Sequence, residues 1–127
     1  GLVQVLKSYP EDAYLWASLA SLAEAQVASG GSREQISFYW QNAIARDPYN
    51  PGFHFRWSRW LWRLSQFPEA LVEVQRSLEI YPASADAQFH KSLILHDLGR
   101  EEEALRAWEE LIKMPRESGS PEPKRPW

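Results

Sequence analysis

The apolar positions of this chain fall at helical spacing, and the pattern repeats. After Pro51, the residues Phe53, Trp57, Trp60, Leu61 and Leu64 recur every three or four places, which puts them on one face of a helix. Ser65-Gln66-Phe67 interrupts the stripe. Pro68 suits the opening turn of a second helix, with Ala70, Leu71, Val74 and Leu78 facing inward. The phrase then returns. Pro48 is answered by Pro82, 34 residues on, and likewise Phe55 by Phe89, Ser58 by Ser92, Leu64 by Leu98, Ala70-Leu71 by Ala104-Leu105 and Val74 by Trp108. A repeat of that length is one helix–turn–helix unit that buries its apolar faces only by stacking on a neighbour.

The later copy is the more regular. Ser84 or Asp86 serves as cap for a helix reaching Leu98, and Gly99 supplies the left-handed residue that ends it. Glu101, Glu102 and Glu103 open the next helix, where its dipole favours negative charge, and Leu105, Trp108, Leu111 and Ile112 follow before Pro115. An earlier, looser copy begins with Glu11-Asp12 as cap and presents Trp16, Leu19, Ala20 and Ala23. Its partner helix, over about residues 33–46, presents Ile36, Trp40, Ala43 and Ile44. Pro10 precedes Pro48 by 38 residues, so about four residues are inserted, and Ala28-Ser29-Gly30-Gly31-Ser32 is the place for them. Residues 1–10 read as part of a preceding repeat, its second helix covering residues 2–8. Residues 11–48, 49–82 and 83–115 read as three full repeats, and residues 116–127, with Pro121, Pro123 and Pro126, as a disordered tail.

Composition narrows the function classes. A hydrophobic fraction of 44% is ample for a core, and a net charge of −3 gives no global attraction to nucleic acid or anionic lipid. Without cysteine there is no disulfide and no thiolate metal site. No apolar run approaches the ~18 residues of a membrane span, and no signal peptide is visible. The chain opens on Gly-Leu-Val rather than Met, which reads as a piece of something longer.

The stretch Leu98-Gly99-Arg100-Glu101-Glu102-Glu103-Ala104-Leu105, together with Trp16-x2-Leu19-Ala20-x2-Ala23, resembles the tetratricopeptide repeat (TPR) family over residues 11–115. The chain departs from that family at His54 and Gln88, where it often has Trp, at Ser58 and Ser92, where it has Gly, and at Trp57, where it prefers Leu. The resemblance implies an all-α, right-handed superhelical solenoid of antiparallel helix pairs. It also implies a concave groove lined by each repeat's first helix, and a role in holding another protein. A second resemblance rests on Ala45-Arg46-Asp47-Pro48-Tyr49-Asn50-Pro51-Gly52-Phe53-His54-Phe55, which looks like a phrase from the soluble C-terminal repeats of bacterial O-antigen ligases and polymerases. It implies a periplasmic, partner-binding tail of a membrane protein; otherwise the compartment reads as cytoplasmic.

The candidate site lies on the helix from Pro51. Arg56, Arg59 and Arg63 fall within about 60° of one another, while Phe55 and Trp62 share a side away from the core. In the repeat frame Phe55, Arg56, Arg59, Trp62 and Arg63 resemble the family's groove-lining positions, and the register adds Phe89 and His90. Guanidinium forks pair carboxylates, and aromatic faces stack on extended chains or sugars. The expected ligand is therefore an acidic peptide, with an anionic glycan as the other reading. The bland account is a solvated arginine face, and a Trp/Arg-rich interfacial helix is a third reading that the committed core residues Trp57 and Leu61 oppose.

His54, His90 and His96 form no metal-ligand spacing, no nucleophile has a base at a readable distance, and no phosphate loop is present. The expectations are no catalysis, no metal and no cofactor. Trp57 and Trp108 should be buried and Trp62 exposed in the groove. The solenoid ends, at Leu105, Ile112 and residues 3–6, should present apolar surface open to self-association.

Overall fold

The computed structural model describes residues 2–27 and 32–127, and the described residues form seven α-helices and no strand. The chain divides into two compact units, Gly1–Phe53 and His54–Trp127.

The first unit holds α1 (Leu2–Ser8), α2 (Ala13–Ala25), α3 (Arg33–Arg46) and the opening turn of α4 (Pro51–Arg63). The Asp12 carboxylate accepts from the Tyr14 N–H at 3.0 Å and caps α2, as the sequence predicts; the Ser32 hydroxyl caps α3 by accepting from Gln35 N–H. The predicted insertion at Ala28-Ser29-Gly30-Gly31 lies outside the described residues. α2 packs against α3 and α1 against α2. Leu6, Ala17, Ala20, Ile36, Trp40 and Ala43 fill the space between them, and Phe53 closes the core with its ring 6.5 Å from that of Trp40. The Trp40 indole N–H, removed from water, donates to Glu24 at 2.8 Å. Trp16 is only half-buried. Its indole donates to the Pro10 carbonyl at 2.9 Å, and the Arg46 guanidinium lies 4.8 Å over its ring.

The second unit continues α4 from His54 and adds α5 (Phe67–Ile80), α6 (Ala85–Asp97) and α7 (Glu101–Lys113). Its two helix hairpins turn in the same way. Gly99, at φ 78°, donates its N–H to the His96 carbonyl while Arg100 N–H reaches back to Leu95. One repeat earlier Ser65, at φ 60°, donates to Trp62 while Gln66 reaches Leu61. Both are Schellman closures, which need a left-handed residue just past the helix. Gly99 meets that need freely; Ser65 meets it against its own Cβ. Ser65→Gly is therefore expected to stabilise the chain by about 1 kcal/mol, measured as a higher urea midpoint, whereas Gly99→Ser should lower it.

Trp57, Trp60 and Leu61 of α4, Ala70, Leu71 and Val74 of α5, Ile94 and Leu95 of α6, and Ala104, Ala107, Trp108 and Leu111 of α7 are buried. Ser58 and Ser92 are fully buried, small enough for close helix approach, and each satisfies its hydroxyl on a backbone carbonyl, Ala70 at 2.7 Å and Phe89 at 2.6 Å. Ser84, rather than Asp86, caps α6. Three inward assignments of this unit, Leu64, Leu78 and Ile112, prove half-buried, as does Ile44 in the first unit. Leu105 lies 38% exposed, because the buried stripe of α7 runs through Ala104, Ala107, Trp108 and Leu111 and leaves it one residue off the face.

The segment expected to be a disordered tail ends in an ordered contact. Trp127 stacks on His96, with ring centroids 4.8 Å apart and planes within 10°, and meets Trp108 edge-on at 6.1 Å. Proline-rich composition suppresses helix, but one large aromatic is enough to anchor an extended segment on exposed ring faces.

Candidate functional site

The polar groups inside the second unit decide what its chemistry is. His54, 4% exposed, stands in the apolar stripe of α4 and places Nδ1 2.7 Å from Glu73 Oε2 on α5. Glu73 is 8% exposed, and its other oxygen accepts from Arg76 at 2.8 Å. This buried group was not read from the sequence, although a histidine inside a core stripe was the available signal. It joins α4 to α5. Among the described residues no three His, Asp or Glu side chains are placed to hold a metal ion.

The residues chosen from the sequence gather mostly around one cavity. Phe55, Arg59, Trp62, Phe89 and His90 line a space of about 330 Å³ between α4 and α6, together with Asp86 and Leu93. α4 and α6 are the first helices of successive repeats, so the cavity lies on the face that the repeat register assigns to the groove. Arg56 and Arg63 are exposed and do not line it; the Arg63 guanidinium instead lies 5.4 Å over Trp60. Arg59 reaches over Phe55 at 5.8 Å. Asp86 and Leu93 were not chosen from the sequence, yet Asp86, Phe89, His90 and Leu93 follow i, i+3, i+4, i+7 spacing and share one face of α6.

One expectation about this site is corrected. Trp62 is half-buried rather than exposed, and its indole N–H donates to Asp97 at 2.6 Å, which fixes the ring at the side of the cavity. His90 is not part of a positive patch. It is 6% exposed, and its pKa falls to about 4, first because burial penalises the charged ring and also because Arg59 repels the proton; a hydrogen bond to the Ser58 backbone and the Asp97 charge oppose these only in part. At neutral pH His90 is an uncharged ring held edge-on between Phe55, at 5.8 Å, and Trp62, at 5.9 Å. The cavity thus has aromatic walls, one guanidinium from Arg59 and one carboxylate from Asp86.

No protein-family model and no curated protein matches the sequence. Solved structures do match by fold. A crystal structure of MamA, a TPR-like all-helical protein, superposes with a TM-score of 0.76 at 17% identity, covering 89% of this chain and 64% of that one. A second MamA crystal structure gives 0.75 at 17% identity, over 89% of this chain and 60% of that one. A MamA mutant gives 0.73 at 19% identity, over 91% and 81%. The fold is TPR-like. The chain spans less than two thirds of the first two of these proteins, and the likeness supports the TPR resemblance but not the one to O-antigen ligases. No helix of the described residues is long and apolar enough to cross a membrane.

Proposed function

We propose that this chain is a protein-interaction module whose second unit holds an acidic peptide segment, or an acidic stretch of a neighbouring domain, in the cavity between α4 and α6. The observation that carries this reading is the convergence of Phe55, Arg59, Trp62, Phe89 and His90, from two first helices of successive repeats, on a single space of about 330 Å³. That volume sits at the lower end for ligand sites and suits a side chain of an extended partner better than a cofactor. A TPR-like fold supports a partner-binding role and asks for no catalysis. Arg59 supplies the cation inside the cavity, and Arg56 and Arg63 supply exposed positive charge on the same helix.

The test uses a blocked Glu-Glu-Trp-Glu-Glu peptide titrated calorimetrically into the intact chain. Binding should weaken as salt rises, because exposed charges are screened beyond ~10 Å at 0.1 M. Arg59→Glu should reduce affinity by about tenfold or more, in line with loss of a charge-assisted pair, and Arg63→Glu should reduce it less, since Arg63 stands outside the cavity. Equal binding by the doubly substituted chain, at unchanged helicity, overturns the reading. Binding of an oligouronate in place of the peptide would transfer the site to anionic glycans.

A further inference from the structure

The α4/α6 cavity carries two opposite charges that do not neutralise one another. Arg59 and Asp86 both line it and both are exposed, yet among the described residues neither forms an ion pair, with the other or with a third group. The repeat register accounts for their separation. Arg59 on α4 is answered 34 residues later by Leu93 on α6, and Asp86 precedes Leu93 by seven residues. At a helical rise of about 1.5 Å per residue, that offset puts the two charges about 10 Å apart along the helix axes. Phe55, Trp62 and Phe89 wall the space between them. Each charge is held in place. The Arg59 guanidinium lies 5.8 Å over the Phe55 ring. Asp86 stands in the first turn of α6, where the helix dipole favours a negative charge.

A uniformly acidic segment answers only half of this surface. A carboxylate that reaches Arg59 gains a charge-assisted pair, whereas a second carboxylate at the other end meets Asp86 and is repelled. An extended chain advances about 3.3 Å per residue, so a span of about 10 Å corresponds to three residues. Resting on the acidic-peptide reading above, we infer that Asp86 sets the specificity of this cavity: the segment it accepts carries a basic residue three positions from the acidic residue that pairs with Arg59, with an apolar side chain between them against the aromatic wall. Charges arranged in this way fix the register of a bound segment and reject wrong partners more than they add affinity. Arg56 and Arg63, exposed and outside the cavity, attract any acidic segment. Asp86 is the group that makes one acidic segment preferable to another.

The experiment compares three blocked peptides on the intact chain by calorimetry at low salt: Glu-Glu-Trp-Glu-Glu, Lys-Glu-Trp-Glu-Glu and Glu-Glu-Trp-Glu-Lys. Each lysine peptide places its lysine three positions from a glutamate, and the two together cover both chain directions. A site that is merely cationic binds both of them more weakly than the all-acidic peptide, because each has lost negative charge. The expected result is the reverse for one of them, which should bind about fivefold more tightly than the all-acidic peptide, the size of an exposed charge pair. In Asp86→Lys, a change at an exposed position, that same peptide should bind more weakly than the all-acidic one. All-acidic peptide binding the native chain at least as tightly as both lysine peptides overturns the role of Asp86 and leaves the acidic-peptide reading standing, a result that does not depend on any variant folding. A preference for the lysine peptide that survives Asp86→Lys at unchanged helicity overturns that role as well. Absence of binding by all three overturns both.

Discussion

Trp57→Ala is expected to destabilise the chain by roughly 3–5 kcal/mol, the range for truncating a large core aromatic. Trp57 is 8% exposed, and its neighbours on the α4 stripe, Trp60 and Leu61, are more deeply buried still, so the site has little freedom to collapse around the void. The informative comparison is Trp62→Ala on the same helix. Trp62 is half-buried and loses one indole hydrogen bond to Asp97, so its truncation should cost about 1–2 kcal/mol, more than a free surface residue and less than a core one. Urea unfolding followed by circular dichroism reads both as midpoint shifts at unchanged slope. Equal losses would mean that α4 is rotated from the orientation described here.

The parts of the fold that were legible in the sequence are those that a repeat must copy. Stacked helix pairs present equivalent surroundings every 34 residues, so Ser58 and Ser92, Ala70 and Ala104, Val74 and Trp108 are constrained together, and all six are buried. The helix ends were readable for the same kind of reason. Asp12, Pro51 and Gly99 each satisfy a local backbone need that does not depend on distant contacts. Periodicity also assigned the faces that bring Phe55, Arg59, Trp62, Phe89 and His90 to one cavity.

What it could not assign was depth. A helical wheel places a residue by angle, and His90 and Arg59 share a cavity by angle, but burial decides that one is neutral and the other charged. The same limit applies to Trp62, whose angle is right and whose exposure is less than its angle implied. Trp127 was illegible for another reason. The proline-rich composition around it predicts disorder, and the ring faces that receive it, His96 and Trp108, come from residues far away in the sequence.

Glu73→Ala is expected to cost about 3–5 kcal/mol, as large as a core truncation although the residue is a carboxylate. Glu73 is on the same stripe of α5 as Ala70 and Ser77, and it meets His54 at 2.7 Å where both are nearly sealed from water. Removing it takes from the buried imidazole its carboxylate partner at 2.7 Å and releases Arg76, whose guanidinium it also holds. Most of the loss belongs to the first effect, because Arg76 is largely exposed and an exposed pair contributes only about 0–1 kcal/mol. The pair itself is a different quantity from the cost of breaking it. Desolvating two polar groups consumes much of what their attraction returns, so an apolar replacement of both should recover the loss. His54→Phe combined with Glu73→Leu is therefore expected to be at least as stable as the native chain, while His54→Phe alone, which leaves the carboxylate only its bond to Arg76, should lose stability but less than Glu73→Ala. The four unfolding midpoints form a double-mutant cycle, and its coupling should approach the size of the single losses. Additive single and double losses would mean that His54 and Glu73 do not depend on one another, and that the polar joint between α4 and α5 is held by other contacts.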